Sequence, residues 1–287
     1  MLIDGKKIAL TLEKDLKKDF AKLKKGKIKL VVFLIGNSPE QLSFVKIKKR
    51  LANSLGVGFE FIHLKTTPFF ESLIHQIKIK SADKNTTAVI IQQPLPAQLQ
   101  TNCIYDFVPE EKEIEGHRAK SLFIPPIGQA VITLLKYIYK QPEINKKLFV
   151  DFSKDAAFLK KKLKGKKILL VGRGITGGKP IGETLSAAKI SYFSIHSQTP
   201  NPENYFKNAD IIITSVGHKV IQPANLKPGV VLINVGLRKE NDKLKGDYDE
   251  KEIKDIASFY TPTPGGLGPI DIIYLYRNLL DAARLQS

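Results

Sequence analysis

Apolar positions along the chain follow two periods. Short, nearly unbroken apolar runs recur at Leu30–Ile35, Ala88–Gln92, Ile168–Val171, Ala209–Thr214 and Val230–Val235. Runs of this length, rich in Val, Ile and Leu and bounded by Gly, Pro, Asn or Ser, read as strands buried on both faces, as in a parallel sheet. Gly58–Leu64 and Ile190–His196 read as two further strands. Between them apolar residues return every three or four positions. That spacing predicts helices over Ile8–Leu23, Glu40–Leu55, Pro68–Lys80, Ile127–Tyr139, Ile181–Ala188 and Ile270–Leu285. Gly36-Asn37-Ser38-Pro39 closes the first strand, and Gly56 stops the second helix. Residues Lys140–Lys164 are polar and Lys-rich, and their periodic signal is the weakest. Strands alternating with helices imply α/β architecture around largely parallel sheets. A chain of 287 residues has room for two such domains. The expected division is an N-terminal α/β domain over 1–122, completed by a returning C-terminal helix at 270–287, and a second α/β domain over 123–269.

The second domain carries the most specific stretch. Gly172, Gly174 and Gly177 follow the strand Ile168–Val171 and precede a helix, so they fit G-x-G-x-x-G in a strand–turn–helix context. Glycines there let the backbone turn tightly and let a pyrophosphate approach bare amides at a helix N-terminus. The expectation is a Rossmann-type nucleotide site; the competing reading is a tight structural turn. An NAD site usually ends the next strand with an acid that accepts from the ribose. Here that end reads His196-Ser197-Gln198-Thr199, without a carboxylate. Arg173 sits inside the turn, where a guanidinium suits a ribose phosphate. NADP is therefore expected over NAD, unless Arg173 is only a solvated turn residue.

Composition narrows the classes. Lys plus Arg outnumber Asp plus Glu by 46 to 28, a formal charge of +18. Nucleic acid, a membrane surface or anionic small molecules would all suit that charge. The lysines, however, spread along helix faces (Lys14, Lys17, Lys18, Lys22, Lys24 and Lys25) without interleaved aromatics. That pattern suits a solvated surface better than a base-stacking platform. The single cysteine, Cys103, excludes an internal disulfide or a cysteine metal cluster, and no metal site is expected. No apolar run reaches membrane-spanning length, and the first residues lack a signal-peptide core. A cytoplasmic enzyme with no specific nucleic-acid or membrane partner is the simplest expectation.

In the first domain, Phe44, Ile47, Leu51 and Leu55 form an apolar stripe on the second helix, and Lys48 neighbours Phe44 at i+4. A lysine drawn into such a stripe is a usable acid or base; a snorkelling lysine among Lys46, Lys49 and Arg50 is the alternative. Gln92 ends a strand before Pro94 and Pro96, which places its amide toward a cleft or simply at a polar strand end. Glu115-Gly116 marks a turn whose carboxylate suits a polar heterocycle, or is a surface acid.

These residues together resemble the bifunctional methylene-tetrahydrofolate dehydrogenase/methenyl-tetrahydrofolate cyclohydrolase family, over nearly the whole chain. Ile3-Asp4-Gly5-Lys6 looks like the family's opening. Phe44 through Lys48 lies on Y-V-x-x-K, Ile91 through Pro96 on V-Q-L-P-L-P, Lys112 through Gly116 on K-D-V-D-G, and Gly172 through Pro180 on G-R-S-x-I-V-G-x-P. His196 through Thr199 and Thr261 through Pro269 match later signatures. The resemblance implies NADP-dependent oxidation of methylene-tetrahydrofolate and hydrolysis of the methenyl product to formyl-tetrahydrofolate. It implies Lys48 as acid/base, Gln92 as its orienting partner and Glu115 as the pterin ligand. It implies folate contacts from Phe44, Pro94, Leu95, Pro264, Gly265, Gly266 and Asp271. It implies NADP contacts from Gly172, Arg173, Gly174, Thr176, Gly177, Gly178, Pro180, His196, Ser197, Thr199, Val216, Gly217, Val235 and Gly236. It also implies a homodimer through the nucleotide domain. The small-molecule anions then give the basic charge a steering role.

The chain departs from the pattern where the motif tyrosine is Phe44, the pterin aspartate is Glu115, and the serine after Arg173 is Gly174. P-C-T-P-x-G becomes Phe123-Ile124-Pro125-Pro126-Ile127-Gly128, and Asp271 stands where a threonine is usual. Two alternatives stay open: a single-activity or non-catalytic folate- and NADP-binding relative, and another two-domain NADP-dependent dehydrogenase.

Overall fold

The structure is a computed structural model that describes residues 1–23, 28–101, 103–140 and 143–287. Lys24 and Lys25 lie outside the described residues. Contacts divide the chain into two compact units: residues 13–126 with 272–287, and residues 1–12 with 127–271.

The unit of residues 13–126 and 272–287 takes most of α1 (Gly5–Ala21), then β1 (Lys29–Ile35), α2 (Pro39–Leu55), β2 (Gly58–Leu64), α3 (Phe70–Ala82) and β3 (Ala88–Ile91). The three strands form a parallel sheet in the order β2-β1-β3, with Val31 opposite Glu60 on one side and Val89 on the other. The central strand β1 is buried on both faces from Leu30 to Ile35, which is why its sequence is apolar without alternation. One face packs Val31, Phe33, Val89 and Ile91 against Leu73, Ile74 and Ile77 of α3. Each such aliphatic side chain contributes about 1.5–3 kcal/mol by leaving water. The edge strand β2 keeps only partial cover, and its Phe61 is exposed.

In the other unit α4 (Pro126–Lys140) is followed by α5 (Phe152–Lys162), β4 (Ile168–Val171), α6 (Gly178–Ala187), β5 (Phe193–Ile195), α7 (Pro202–Asn208), β6 (Ile211–Thr214) and β7 (Val231–Asn234). A hairpin of β8 (Arg238–Glu240) and β9 (Lys243–Lys245) comes next, then α8 (Glu250–Ile253), β10 (Phe259–Tyr260) and the first turns of α9 (Leu267–Leu285). Its sheet is five-stranded and parallel, in the order β10-β7-β6-β4-β5. The stretch Lys140–Lys164, weak in sequence, contains α5. That helix is fixed by a buried ion pair: Lys136 Nζ on α4 donates to Asp155 Oδ2 at 2.6 Å and to Phe149 O at 2.6 Å. Lys136 is 1% and Asp155 4% exposed.

Helices α6 and α9 start earlier than the sequence predicts. α6 begins at Gly178, not Ile181, and α9 at Leu267, not Ile270. Pro180 and Pro269 fall inside those first turns, where a missing N–H removes no helical hydrogen bond. α3 begins at Phe70, later than expected, because Phe69 is extended at φ −62°, ψ 146°. The strand expected over Ile190–His196 shortens to Phe193–Ile195, since Lys189 at φ 57° ends the preceding helix in a left-handed turn. In α2, Ile47 is 47% exposed; the buried face is instead Gln41, Val45, Lys48, Leu51, Ala52 and Leu55.

Candidate functional site

α2 is built to carry a buried lysine. Ser38 caps its N-terminus by accepting from Gln41 N at 3.3 Å, Pro39 occupies the first turn, and Gly56 at φ 72° ends it. The helix phase that buries Val45, Ala52 and Leu55 also turns Lys48 inward, to 7% exposure. Phe44 is half-buried one turn earlier. Lys48 Nζ donates to Gln92 Oε1 at 3.0 Å and to Glu115 Oε1 at 3.1 Å. The structure therefore brings together all three residues expected to be catalytic, from α2, the end of β3 and the loop after residue 113. The snorkelling alternative for Lys48 does not describe this side chain.

Each partner is itself held. Gln92 Nε2 donates to Gln93 O at 2.9 Å, so the carbonyl end of its amide faces Lys48. Gln41 Nε2 donates to Pro94 O at 2.7 Å and ties α2 to the proline loop. Pro94 is exposed, while Leu95 is buried in the cluster around Val31 and Phe33. Glu113 is 2% exposed, and its carboxyl accepts from the amides of Glu115 at 2.9 Å and His117 at 3.0 Å. Burial pushes that carboxyl up from the ordinary range. Asn278 on α9 donates to Ile114 O at 2.8 Å, and the Tyr276 hydroxyl donates to Lys48 O at 2.6 Å. A buried amine with one neutral and one anionic acceptor can take and return a proton at a reactant beside it.

The glycine turn lies in the other unit. Gly172 has φ 104°, and a Cβ there would meet Ser215 O at 2.7 Å. A Cβ on Gly178 would overlap the Gly172 carbonyl, whereas a Cβ on Gly174 would meet nothing within 4 Å among the described residues. Arg173, Gly174 and Thr176 are exposed; Gly177, Gly178 and Pro180 are buried. Gly177 is the N-cap of α6 and offers no side-chain acceptor. A cleft of about 460 Å³ beside the turn is lined by Gly172, Arg173, Gly178, Lys179, Tyr192 and Ser194, among others. At the end of β5, His196 N donates to Thr199 Oγ1 and Thr199 N to His196 O, both at 2.9 Å, so the Ser197 segment is a closed turn.

Val216-Gly217 and Val235-Gly236 follow β6 and β7, and a buried network shapes them. Asp247, 0% exposed, accepts from Val216 N at 3.0 Å and Gly217 N at 2.9 Å. Asn234 accepts from Asp247 N at 2.7 Å and donates to Gly236 O at 2.7 Å and Thr263 Oγ1 at 2.8 Å. Desolvation pushes the Asp247 carboxyl up. Lys6 N donates to Gly265 O at 3.1 Å, Pro264 is exposed and Gly266 buried, and Asp271 is half-buried in the second turn of α9. The sequence reading missed Asn234 and Asp247, whose contacts are distant in sequence, and Glu113 and His117, whose turn carries no side-chain pattern of its own.

Residues 3–115 match the family profile described as tetrahydrofolate dehydrogenase/cyclohydrolase, catalytic domain. Residues 156–287 match the profile of the same family's NAD(P)-binding domain. The chain belongs to the tetrahydrofolate dehydrogenase/cyclohydrolase family. It is 31% identical to the bifunctional protein FolD of Staphylococcus epidermidis over 298 residues, covering 99% of this chain and 97% of that one. It is 31% identical to the FolD protein of Geobacillus thermodenitrificans over 296 residues, with the same coverage. Its fold is that of the bifunctional FolD enzyme from Campylobacter jejuni, with a TM-score of 0.85, 24% identity, and coverage of 100% and 99% of the two chains. The Trypanosoma brucei FolD structure, solved with NADP and an inhibitor, aligns at a TM-score of 0.77 and 20% identity over 99% of this chain and 97% of that one.

Proposed function

We propose that this family member oxidises methylene-tetrahydrofolate to methenyl-tetrahydrofolate with NADP, and then hydrolyses that product to formyl-tetrahydrofolate, in one-carbon folate metabolism and the purine synthesis it feeds. The observation that carries the reading is Lys48, buried yet within 3.0 Å of Gln92 and 3.1 Å of Glu115. The folate domain in this reading is 1–122 with 270–287, and the NADP domain is 123–269.

In the hydrolytic step a water oxygen bonds to the methenyl carbon and one of its two protons passes to the Lys48 amine. The remaining hydroxyl proton then leaves to solvent as the carbonyl forms and the carbon–nitrogen bond breaks, and Lys48 returns the first proton to the departing ring nitrogen. Gln92 aims the amine, and Glu115 receives the pterin's N–H groups beside its contact to Lys48. Phe44 supplies a ring face, and the Pro94–Leu95 backbone adds folate contacts. Bound NADP supplies the acceptor for the hydride, and that step rests on alignment rather than on a side-chain acid or base.

The phosphates are assigned to the α6 N-terminus and the Gly172–Gly178 turn, with Arg173 on the ribose phosphate. Thr176 and Pro180 shape that turn. His196, Ser197 and Thr199 face the adenosine, and Val216-Gly217 and Val235-Gly236 face the nicotinamide side. NADP is favoured over NAD because Arg173 is exposed in the turn and His196-Ser197 offers no ribose-binding acid. We further assign the protein to the cytoplasm as a homodimer. The unpaired, exposed Cys103 suits a reducing compartment. The edge strand β5, with Phe193 57% exposed, suits strand-to-strand pairing with a second copy.

The test is an absorbance assay of the purified chain with methylene-tetrahydrofolate and either NADP or NAD, beside one that starts from methenyl-tetrahydrofolate. Turnover in both with NADP preferred is the expected result. Folate and NADP binding without turnover in either would replace this reading with a non-catalytic relative.

A further inference from the structure

Glu113, Glu115 and His117 alternate along one turn that Gly116, at φ 78°, makes possible. The turn is rigid, because the Glu113 carboxyl accepts from the backbone of Glu115, His117 and Arg118 at 2.9, 3.0 and 3.4 Å. The His117 ring stacks on Tyr105 with centroids 4.5 Å apart. Arg118 is directed away, onto Tyr105 O at 3.2 Å and Val108 O at 2.6 Å. His117 Nε2 thereby comes to 3.9 Å from Glu115 Oε2, while Glu115 Oε1 holds Lys48 at 3.1 Å. The three side chains are 15%, 18% and 8% exposed.

At 3.9 Å a neutral imidazole makes no hydrogen bond to a carboxylate, whereas an imidazolium makes an ion pair. Glu115 thus has one standing partner and one conditional on charge. Building on the role given to Lys48 above, we propose that His117 is a positioning residue for that lysine. When protonated it draws Glu115 toward itself and loosens the carboxylate's hold on Lys48, which frees the amine for proton transfer at the reacting carbon. When neutral it leaves the whole of Glu115 to Lys48. The other titratable or charged groups near His117 are Glu113 beneath its amide, Arg118 beside it, Lys48 across Glu115 and the Tyr105 phenol under its ring. Burial pushes the Tyr105 hydroxyl far up, so the phenol is uncharged throughout the range concerned.

Two substitutions of opposite sense test this. His117→Phe keeps a ring against Tyr105 and removes the charge; His117→Arg makes the charge permanent. The kcat and KM for opening methenyl-tetrahydrofolate are measured from about pH 5 to 8, the span in which imidazoles change charge, after subtraction of the uncatalysed reaction. Wild type is expected to follow His117→Arg at the acid end and His117→Phe at the alkaline end. At the alkaline end the two variants should differ in kcat by about three- to tenfold, the effect of one added charge at this range. Parallel profiles for all three proteins, displaced only by a constant factor, would overturn the proposal and leave His117 a packing residue. If wild type opens no substrate at any pH, the functional reading fails instead. The linkage is then read from tetrahydrofolate affinity against pH in the same proteins, where diverging curves support it and parallel curves overturn it.

Discussion

Two alanine substitutions in the glycine turn separate what the fold needs from what the cofactor needs. Gly172 has φ 104°, and a Cβ there would stand 2.7 Å from Ser215 O and 3.0 Å from Val216 Cγ1. The carbonyl contact lies 0.7 Å inside the 3.4 Å at which ordinary contact begins. Ser215 N also donates to Val171 O at 2.9 Å, so the carbonyl has little freedom to retreat. A left-handed conformation costs an L-residue about 1–2 kcal/mol, and forced overpacking about 1–3 kcal/mol. Gly172→Ala should therefore lose about 2–5 kcal/mol, or roughly 4–20 °C of melting temperature at 2–4 °C per kcal/mol. Gly174 is the control, since its φ lies outside the left-handed region and, among the described residues, a Cβ there would meet nothing within 4 Å. Gly174→Ala should melt within about 0.5 kcal/mol of wild type, yet bind NADP at least about tenfold more weakly if phosphate oxygens approach that Cα. Calorimetry gives the first quantity and titration of NADP the second. A Gly172→Ala protein that melts like wild type would refute the packing argument. A Gly174→Ala protein with full affinity would remove the phosphates from this turn.

Three further outcomes follow from the same structure. Asp155→Ala leaves the Lys136 ammonium, 1% exposed, without its anion, and denaturant unfolding should show a loss of about 3–5 kcal/mol, with Lys136→Met in the same chain recovering much of it. Burial raises the Asp247 carboxyl above its unfolded value, so the folded state takes up a proton before the unfolded state does as pH falls. Its contribution to stability is thus largest below pH 3.8 and is lost as pH rises through the folded value. The stability difference between wild type and Asp247→Asn, followed from neutral pH to mild acid by denaturant titration, should move in favour of wild type; movement the other way would contradict the sign. Phe193→Glu places a charge on the β5 edge and should convert a dimer to monomer by sedimentation, with cofactor affinity retained.

Much of the architecture was legible because it rests on local periodicity. Every apolar run read as a buried strand is a strand, since a parallel strand covered on both faces leaves a run that no surface helix would show. The helix starts at α6 and α9 were placed late because Pro180 and Pro269 look like breakers, although the first turn tolerates them. The hairpin β8–β9 was missed because its cues, Asn241 and Asp242 at φ 49° and 59°, sit among charged residues with no apolar alternation. At the lysine cluster, spacing alone left Lys48, Gln92 and Glu115 each with a bland alternative; only the fold brings α2, β3 and the turn after Glu113 together. Ile47 falls outside the buried face of α2, because a one-position shift in helix phase exposes it and buries Lys48. Asn234, Asp247, Tyr276 and Asn278 support the two sites through contacts distant in sequence and left no motif, whereas Glu113 acts within its own turn.

The most direct test of the central assignment is the ratio of the two activities in Lys48→Met, which keeps the length and apolar stem of the side chain but removes the amine. Opening of methenyl-tetrahydrofolate should fall by about 10²- to 10⁴-fold, the usual contribution of a general acid–base, while NADP-dependent oxidation of methylene-tetrahydrofolate stays within about tenfold, because hydride transfer relies on alignment. Equal loss of both activities, or ring opening at the wild-type rate, would contradict the role given to Lys48.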